Sequence, residues 1–202
     1  MSIYQLPSGS GISELPRDLL IDVMLLLPGQ SLIKICQSNS WFRAFCDEHN
    51  VQFWQQKLQN DYPTIKITND YKTHYFKLVS GQIKPVKVEI GLIGSRDKII
   101  GTILISNDDS LENVLDKVVT IIKDYILNKY GSLGSFMIIN MGFQNNHYNT
   151  LNVSRFGFNL DEIPNYNNVS IDTWGINLSD PIGKQNLNFD KISVFVDYNK
   201  NE

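Results

Sequence analysis

The sequence has no long hydrophobic run and no surplus of positive charge. No stretch reaches the roughly 18 consecutive apolar residues that a membrane-spanning helix needs, so we expect no contact with a membrane. Eighteen lysines and arginines stand against 21 aspartates and glutamates, which gives a formal net charge of -3. Such a chain lacks the positive field typical of nucleic-acid-binding proteins. Residues 1–11 have neither the basic start nor the apolar core of a signal peptide, so the sequence predicts a protein of the cytoplasm or the nucleus.

Cysteine and histidine are scarce, with two cysteines and three histidines in 202 residues. Cys36 and Cys46 lie in apolar, helical patterns, and we interpret them as buried, reduced thiols, with a disulfide as the less favoured alternative. His49, His74 and His147 lie far apart in the sequence. Cys46 with His49 cannot supply the four ligands of a structural zinc site. We therefore expect no metal site and no cofactor.

Motifs for catalysis are missing as well. The chain has no Gly-x-Ser-x-Gly elbow and no glycine-rich phosphate loop, so we expect no catalytic residue and a protein that is not an enzyme. One alternative is a small enzyme whose pocket is formed by asparagine-rich loops. In that case His147, Arg155 and either Asp161 or Glu162 would converge in a cleft.

The first third of the chain has the apolar spacing of short helices. Residues 1–12 are a flexible lead-in, after which Pro16 fits the first turn of a helix. Pro28 and Gly29 end that helix, and the helical domain runs over residues 13–62. Trp41 and Trp54 occupy helical positions that fit a core. We expect three more helices, with these N-cap residues: Ser31, Ser40 and Asn50. A helical connector follows over residues 63–83.

From residue 84 onwards apolar and polar residues alternate, as in a half-buried strand. A first strand over residues 86–92 and a second over residues 98–106 are separated by turn residues, which predicts a hairpin. A long helix follows, with Asp109 and Glu112 as a capping box and Gly131 at its end. Two more strands are predicted: residues 136–141 and 191–198.

The segment between these last two strands is rich in asparagine, aspartate, glycine and serine. Residues 142–190 are therefore predicted to be rich in turns, with a short strand near Trp174 and Ile176. Residues 84–202 as a whole predict an α+β domain. Their order of strand, strand, helix, strand and late strand resembles a ubiquitin-like β-grasp. The expected fold class of the chain is α+β, a helical bundle followed by this domain.

The first three predicted helices carry apolar residues at the spacing of an F-box, and residues 13–62 resemble that family. The residues that carry the resemblance are Leu15, Pro16, Leu19, Leu20 and Val23, then Leu32, Ile35 and Cys36, and then Phe42 and Phe45. Asp18 stands where the family has an acidic residue. A Cys-x-x-Asn turn, here Cys36 to Asn39, is similar to the F-box-like proteins of large DNA viruses. The cellular Val-Cys-x-x-Trp run is not matched, because Trp41 comes two positions late.

The resemblance implies a partner and a role. An F-box buries its first helix and Leu-Pro corner against Skp1, the adaptor that links it to a cullin-based ubiquitin ligase. The residues expected to contact a Skp1-type partner are Leu15, Pro16, Leu19, Leu20, Val23, Leu32 and Ile35. The second domain would then select an unknown protein target, in a host cell if the source is viral. A one-piece structural or interaction protein without a ubiquitin link is the alternative.

Overall fold

The computed structural model describes residues 15–47, 50–94, 98–131, 134–145, 148–159, 170–171, 176–185 and 187–200. It divides the chain into two units, Met1–Gly81 and Gln82–Glu202. The described part of the first unit contains helices, and the second contains a mixed sheet with a long helix. The predicted α+β class is therefore confirmed.

Short helices with proline or asparagine at their starts build the first unit. They are α1 (Arg17–Leu26), α2 (Gly29–Ser38), α3 (Ser40–Phe45), α4 (Val51–Asp61) and α5 (Tyr71–Val79). Pro16 and Pro28 are the N-cap residues of α1 and α2, where a missing N–H removes no intrahelical hydrogen bond. All four predicted helices are therefore present, and a fifth, α5, lies in the segment predicted as a helical connector, within the first unit.

Two of the predicted helix caps in this unit are wrong. The second helix begins at Gly29 with Pro28 as its N-cap residue, and not after Ser31. The third helix is capped by Asn39 and not by Ser40, since the Asn39 side chain accepts a hydrogen bond from the Phe42 amide at 2.9 Å. Asn50 is the N-cap residue of α4 as predicted, without a side-chain capping bond.

The aromatic residue Trp54 forms the centre of the first unit's core. Its ring is fully buried and lies 4.9 Å from Phe53, 5.7 Å from Tyr75 and 5.6 Å from Phe76, centroid to centroid. The indole Nε1 donates to the Asp47 carbonyl at 3.2 Å, so the polar end of this large side chain is satisfied. The prediction that Trp54 is a core residue is confirmed, whereas Trp41 is 44% exposed and its assignment to the core is wrong.

Cys36 and Cys46 form a disulfide, which corrects the prediction of two reduced thiols. The spacing of the two residues indicated that each is buried, and both are. It did not indicate that the turn at Asn39 brings the ends of α2 and α3 together, with a Cα–Cα distance of 5.6 Å. That separation is within the range of a disulfide.

The second unit is a six-stranded sheet. Its elements are β1 (Ile83–Leu92), β2 (Lys98–Ser106), α6 (Leu111–Tyr130), β3 (Gly134–Asn145), β4 (Tyr148–Asn159), β5 (Ser170–Ile171) and β6 (Lys191–Lys200). The strand order is β2-β1-β6-β3-β4-β5. Strands β1 and β6 are parallel, and every other neighbouring pair is antiparallel. The first and last strands of the unit are therefore adjacent in the middle of the sheet.

The predicted hairpin, the long helix and the strands at residues 136–141 and 191–198 are all confirmed. The capping box is displaced by one residue, because Ser110 and Asn113 form it in place of Asp109 and Glu112. Asp109 instead accepts from the Ser106 amide and pairs with Lys117 at 2.6 Å. Gly131 ends α6 in the left-handed conformation, with φ 62°, as predicted.

The twelve-residue strand β4 was missed, since its residues fall in the segment predicted to be turns. Leu151 and Val153 are buried on one face of it and alternate with Asn152 and Ser154, but the many asparagines in this segment are typical of turns. Pairing with β3 over nearly its whole length overrides the low strand propensity of asparagine. Ile176 is half-buried outside any strand, and Trp174 lies outside the described residues.

Helix α6 covers one face of the sheet, and the core lies between them. Val86, Val88 and Ile90 of β1 are buried against the apolar stripe of α6. Gly101 of β2 permits the close approach of the helix, because a Cβ atom there would be 2.9 Å from Ile121 Cδ1. The residues that alternate with the buried ones point away from α6, and we call this side the outer face.

Candidate protein-binding surface

Helix α1 presents apolar side chains to solvent. Leu15 is 37% exposed, Leu19 52% and Leu26 85%, and Val23 between them is half-buried. Residues at spacings of four and seven lie along one side of a helix. Leu19, Val23 and Leu26 therefore lie along one side of α1, and together with Leu15, which precedes the helix, they form what we call the α1 stripe.

The opposite side of α1 is buried in the core of the unit. Leu20, Met24 and Leu25 are at most 8% exposed. The helix thus has two apolar sides, as its wide pattern of leucines indicates, and the described residues of the unit cover only one of them. An exposed apolar strip of this kind is typical of a surface that binds another protein.

The predicted partner-binding residues fall into three groups. Leu15, Pro16 and Leu19 are exposed, and Val23 and Ile35 are half-buried. Leu20 and Leu32 are fully buried, with 1% and 0% exposure. Leu32 therefore lies in the core of the unit, whereas Leu20, although buried, lines the cleft beside the Leu-Pro corner.

A cleft beside the Leu-Pro corner extends the surface onto α3. It encloses about 530 Å³, and its apolar lining comes from Leu15 and Leu20 on the α1 side and from Trp41, Ala44 and Phe45 on α3. Its polar lining is Arg17, Asp47 and Asn50. We call this the Trp41 cleft. An apolar floor with a few polar groups is the usual composition of a binding site.

Aromatic stacking holds Trp41 in the wall of the cleft. The Trp41 ring lies 6.1 Å from Phe45, with the ring planes 12° apart, and it meets Phe42 edge-on at 4.9 Å. Phe45 in turn contacts the buried Phe53 at 5.5 Å. The exposed tryptophan is therefore braced by the core, so little side-chain entropy is lost when it is covered.

Two residues of this surface, Leu26 and Trp41, were missed by the sequence analysis. Leu26 follows Leu19 by seven positions, and Trp41 precedes Phe45 by four. Both spacings were available as signals. Neither spacing predicts that the residue is exposed, because an apolar residue at helical spacing is buried more often than it is exposed.

Lys57 of α4 fixes the end of α1 from inside the unit. Its side chain is buried, and Nζ donates to the carbonyls of Leu25 at 2.9 Å and Leu27 at 2.7 Å and pairs with Asp61 at 3.0 Å. These carbonyls lie at the helix C-terminus, where no backbone amide satisfies them and where positive charge is favourable. The position of the α1 stripe thus depends on a lysine of another helix.

Tyr75 completes this arrangement from α5. Its hydroxyl donates to Asp61 at 2.6 Å. Burial is the main cause that raises the pKa of Tyr75 well above its usual range, and the hydrogen bond to Asp61 raises it further. The hydroxyl therefore stays protonated as a donor, and Asp61 links α4 to α5 while Lys57 links α4 to α1.

The pocket of the alternative enzyme falls outside what the structure describes. His147, Asp161 and Glu162 are not among the described residues, and neither is the side chain of Arg155. Within the described parts of the chain, no group of three or more histidine, cysteine, aspartate or glutamate side chains could hold a metal ion. No described helix combines the length and the hydropathy that a membrane span requires.

Comparison with known proteins adds no relative. No model of a known protein family matches the chain, and no curated protein matches it.

Proposed function

We propose that the chain is an F-box-like, non-enzymatic adaptor. The first unit binds a Skp1-type protein through the α1 stripe and the Trp41 cleft. The second unit presents a target protein to a cullin-based ubiquitin ligase. The protein acts in the cytoplasm or the nucleus, and in a host cell if its source is viral.

The observation that carries the proposal is the exposure of the Leu-Pro corner and of the α1 stripe next to the Trp41 cleft. These are the positions at which the F-box resemblance expects contact, and Leu15, Pro16 and Leu19 are open to solvent. Burying one such leucine contributes about 1.5–3 kcal/mol. A few of them, with Trp41 as an aromatic anchor, are enough for a specific interface.

We also propose that the second unit is β-grasp-like, which the topology of its sheet supports. A hairpin, a covering helix and a last strand that returns parallel to the first, in the middle of the sheet, are the arrangement expected of a β-grasp. A fold alone does not assign a function. We therefore assign target selection to the second unit because the first is occupied by the adaptor.

In this role the protein contributes proximity and no chemistry. The conjugating enzyme of the ligase would form the bond to ubiquitin. A receptor that holds a target near that enzyme raises the effective concentration of the target's lysines.

The test is a pull-down of the full chain with recombinant Skp1, using four proteins. Besides the wild type these are Leu19→Ala, the double variant Leu15→Ala/Pro16→Ala, and Leu127→Ala. Leu127 is 43% exposed on α6 of the second unit, so it is a matched control for Leu19. We expect Leu19→Ala to weaken capture about tenfold or more, which corresponds to the loss of one buried leucine.

Thermal melting of each variant separates binding from folding. The double variant is expected to lose capture and to keep its melting temperature, and Leu127→Ala to keep both. Unfolding of the double variant would identify Leu15 and Pro16 as core residues. Equal capture of all four proteins would refute the proposed surface.

A further inference from the structure

The outer face of the sheet carries exposed apolar residues on the two strands that flank β1. Phe195 of β6 is 56% exposed and Ile100 of β2 is 61% exposed, and both alternate with buried residues. Gly91 of β1 lies opposite Phe195, and the Phe195 ring lies over it, since a Cβ atom at Gly91 would be in van der Waals contact with Phe195 Cδ1 at 3.5 Å. Phe195 therefore forms an exposed aromatic wall over β1.

Three lysines surround one carboxylate on the same face. Glu89 of β1 forms ion pairs with Lys87 at 2.7 Å, with Lys98 of β2 at 2.7 Å and with Lys191 of β6 at 2.9 Å. The Glu89 side chain is only 12% exposed, whereas the lysines are 52%, 58% and 35% exposed. The negative charge thus lies at the floor and the positive charges lie at the surface.

The charges of this cluster do not cancel. Three ammonium groups against one carboxylate leave an excess of two positive charges. Each ammonium carries three N–H donors, so two carboxylate oxygens cannot use the donors of three lysines. The other described acidic residue of the face, Asp197, lies at its far end opposite Met137. The single negative charge of Glu89 does not neutralise the three lysines, so the cluster attracts a further anion.

The spacing of the charge and the aromatic ring fits an extended peptide. Lys98, Gly91 and Phe195 lie opposite one another on three neighbouring strands. The ammonium groups of all three lysines, however, lie at Glu89 of β1, which is one strand spacing across and two residues along from Phe195, roughly 8 Å. In an extended chain, residues two apart are separated by about 6.7 Å and their side chains point the same way, so a carboxylate and an apolar side chain two residues apart would meet both.

We propose that the outer face binds an acidic protein segment in which an aromatic or aliphatic side chain stands two residues from a carboxylate. The apolar side chain lies against Phe195, and the carboxylates pair with Lys87, Lys98 and Lys191. That this segment belongs to the target of a ligase rests on the proposed function. The binding itself does not, because none of its residues belongs to the first unit.

A phage-displayed library of random twelve-residue peptides, panned on the immobilised full chain, tests the proposal. Selected peptides are expected to carry aspartate or glutamate two residues from a large apolar residue. Synthetic copies should lose affinity about tenfold or more for Phe195→Thr and for Lys98→Gln/Lys191→Gln. Lys184→Gln removes an exposed lysine of a loop in the same unit and should leave affinity unchanged.

Three results would overturn the proposal. The first is a library that yields no enriched peptides, and the second is enriched peptides whose affinity the Phe195 and lysine variants leave unchanged. The third is adsorption to phosphatidylserine vesicles without any selected peptide, which would assign the lysines to a membrane surface. Circular dichroism of each variant checks that the sheet is intact. A failure of Skp1 capture would leave all of these outcomes unchanged, because the peptide-binding residues belong to the second unit.

Discussion

Lys57 shows how a single buried charge positions a functional helix. Replacing it with methionine keeps the aliphatic stem and removes the donor for Leu25 and Leu27 and the partner of Asp61. Unsatisfied buried acceptors and a broken ion pair cost about 3 kcal/mol. We expect Lys57→Met to lower the free energy of unfolding in urea by that amount. Lys34→Met, an exposed lysine on α2, serves as the control, and an equal loss in both would contradict this role.

Glu89 gives the stability of the second unit a dependence on pH. The hydrogen bonds from Lys87, Lys98 and Lys191 hold the pKa of Glu89 well below its ordinary value of 4.5. A carboxyl group with a lowered pKa in the folded state stabilises the fold above pH 4.5, and this contribution is lost as the pH falls further. The stability difference between wild type and Glu89→Gln should therefore shrink when urea unfolding is followed from pH 6 to pH 3. A difference that stays constant over this range would show that the ion pairs do not stabilise the fold.

At the scale of elements, the disulfide joins the ends of α2 and α3 and thereby supports the wall of the Trp41 cleft. Closing a loop of sequence separation 10 stabilises a fold by about 3 kcal/mol through the unfolded chain. We expect dithiothreitol to lower the stability of the wild type by about that amount. Cys36→Ala/Cys46→Ala should be insensitive to the reductant. Equal stability of the wild type with and without the reductant would mean that the bond has no effect on the fold.

The sequence predicts the elements better than it predicts their ends and their pairing. The stripe of α6 and the alternation in β1 and β6 are strong because each buries one face against the same core. The caps of α3 and α6 are displaced by one residue, since neighbouring serines, asparagines and aspartates can all act as caps. The cap of α2 is displaced by three residues, to Pro28. The residues of β4 do not by themselves predict a strand, because pairing with β3, and not the composition of β4, makes it one. The disulfide is likewise a property of the turn at Asn39, which spacing alone does not specify.

At the scale of the whole molecule, the sequence predicts only part of the candidate site. Leu15, Pro16 and Leu19 are found exposed where the family resemblance expects contact, whereas Leu20 and Leu32 are buried. A pattern of leucines shows that a helix has two apolar sides, but it does not show which of them the chain itself covers. That distinction, and the exposure of Leu26 and Trp41, come from packing against α4 and α5.

The two units divide the proposed adaptor into two binding surfaces with different chemistry. The surface of the first unit is mainly apolar, and that of the second combines an aromatic wall with excess positive charge. Apolar burial depends weakly on salt, whereas contacts between exposed charges are screened. We therefore expect 0.5 M NaCl to leave Skp1 capture nearly unchanged and to weaken binding of the selected acidic peptides. The opposite pattern, measured by fluorescence polarisation and pull-down, would contradict this division.

Calorimetric titration of the full chain with recombinant Skp1 tests the central claim most directly. The account predicts a one-to-one complex with a dissociation constant of ~1 µM or tighter, which corresponds to about 8 kcal/mol of binding free energy. The complex should be lost in the Leu15→Ala/Pro16→Ala variant while Leu127→Ala still forms it. No heat and no complex at about 100 µM, where binding should be nearly complete, would contradict the link to the ubiquitin ligase.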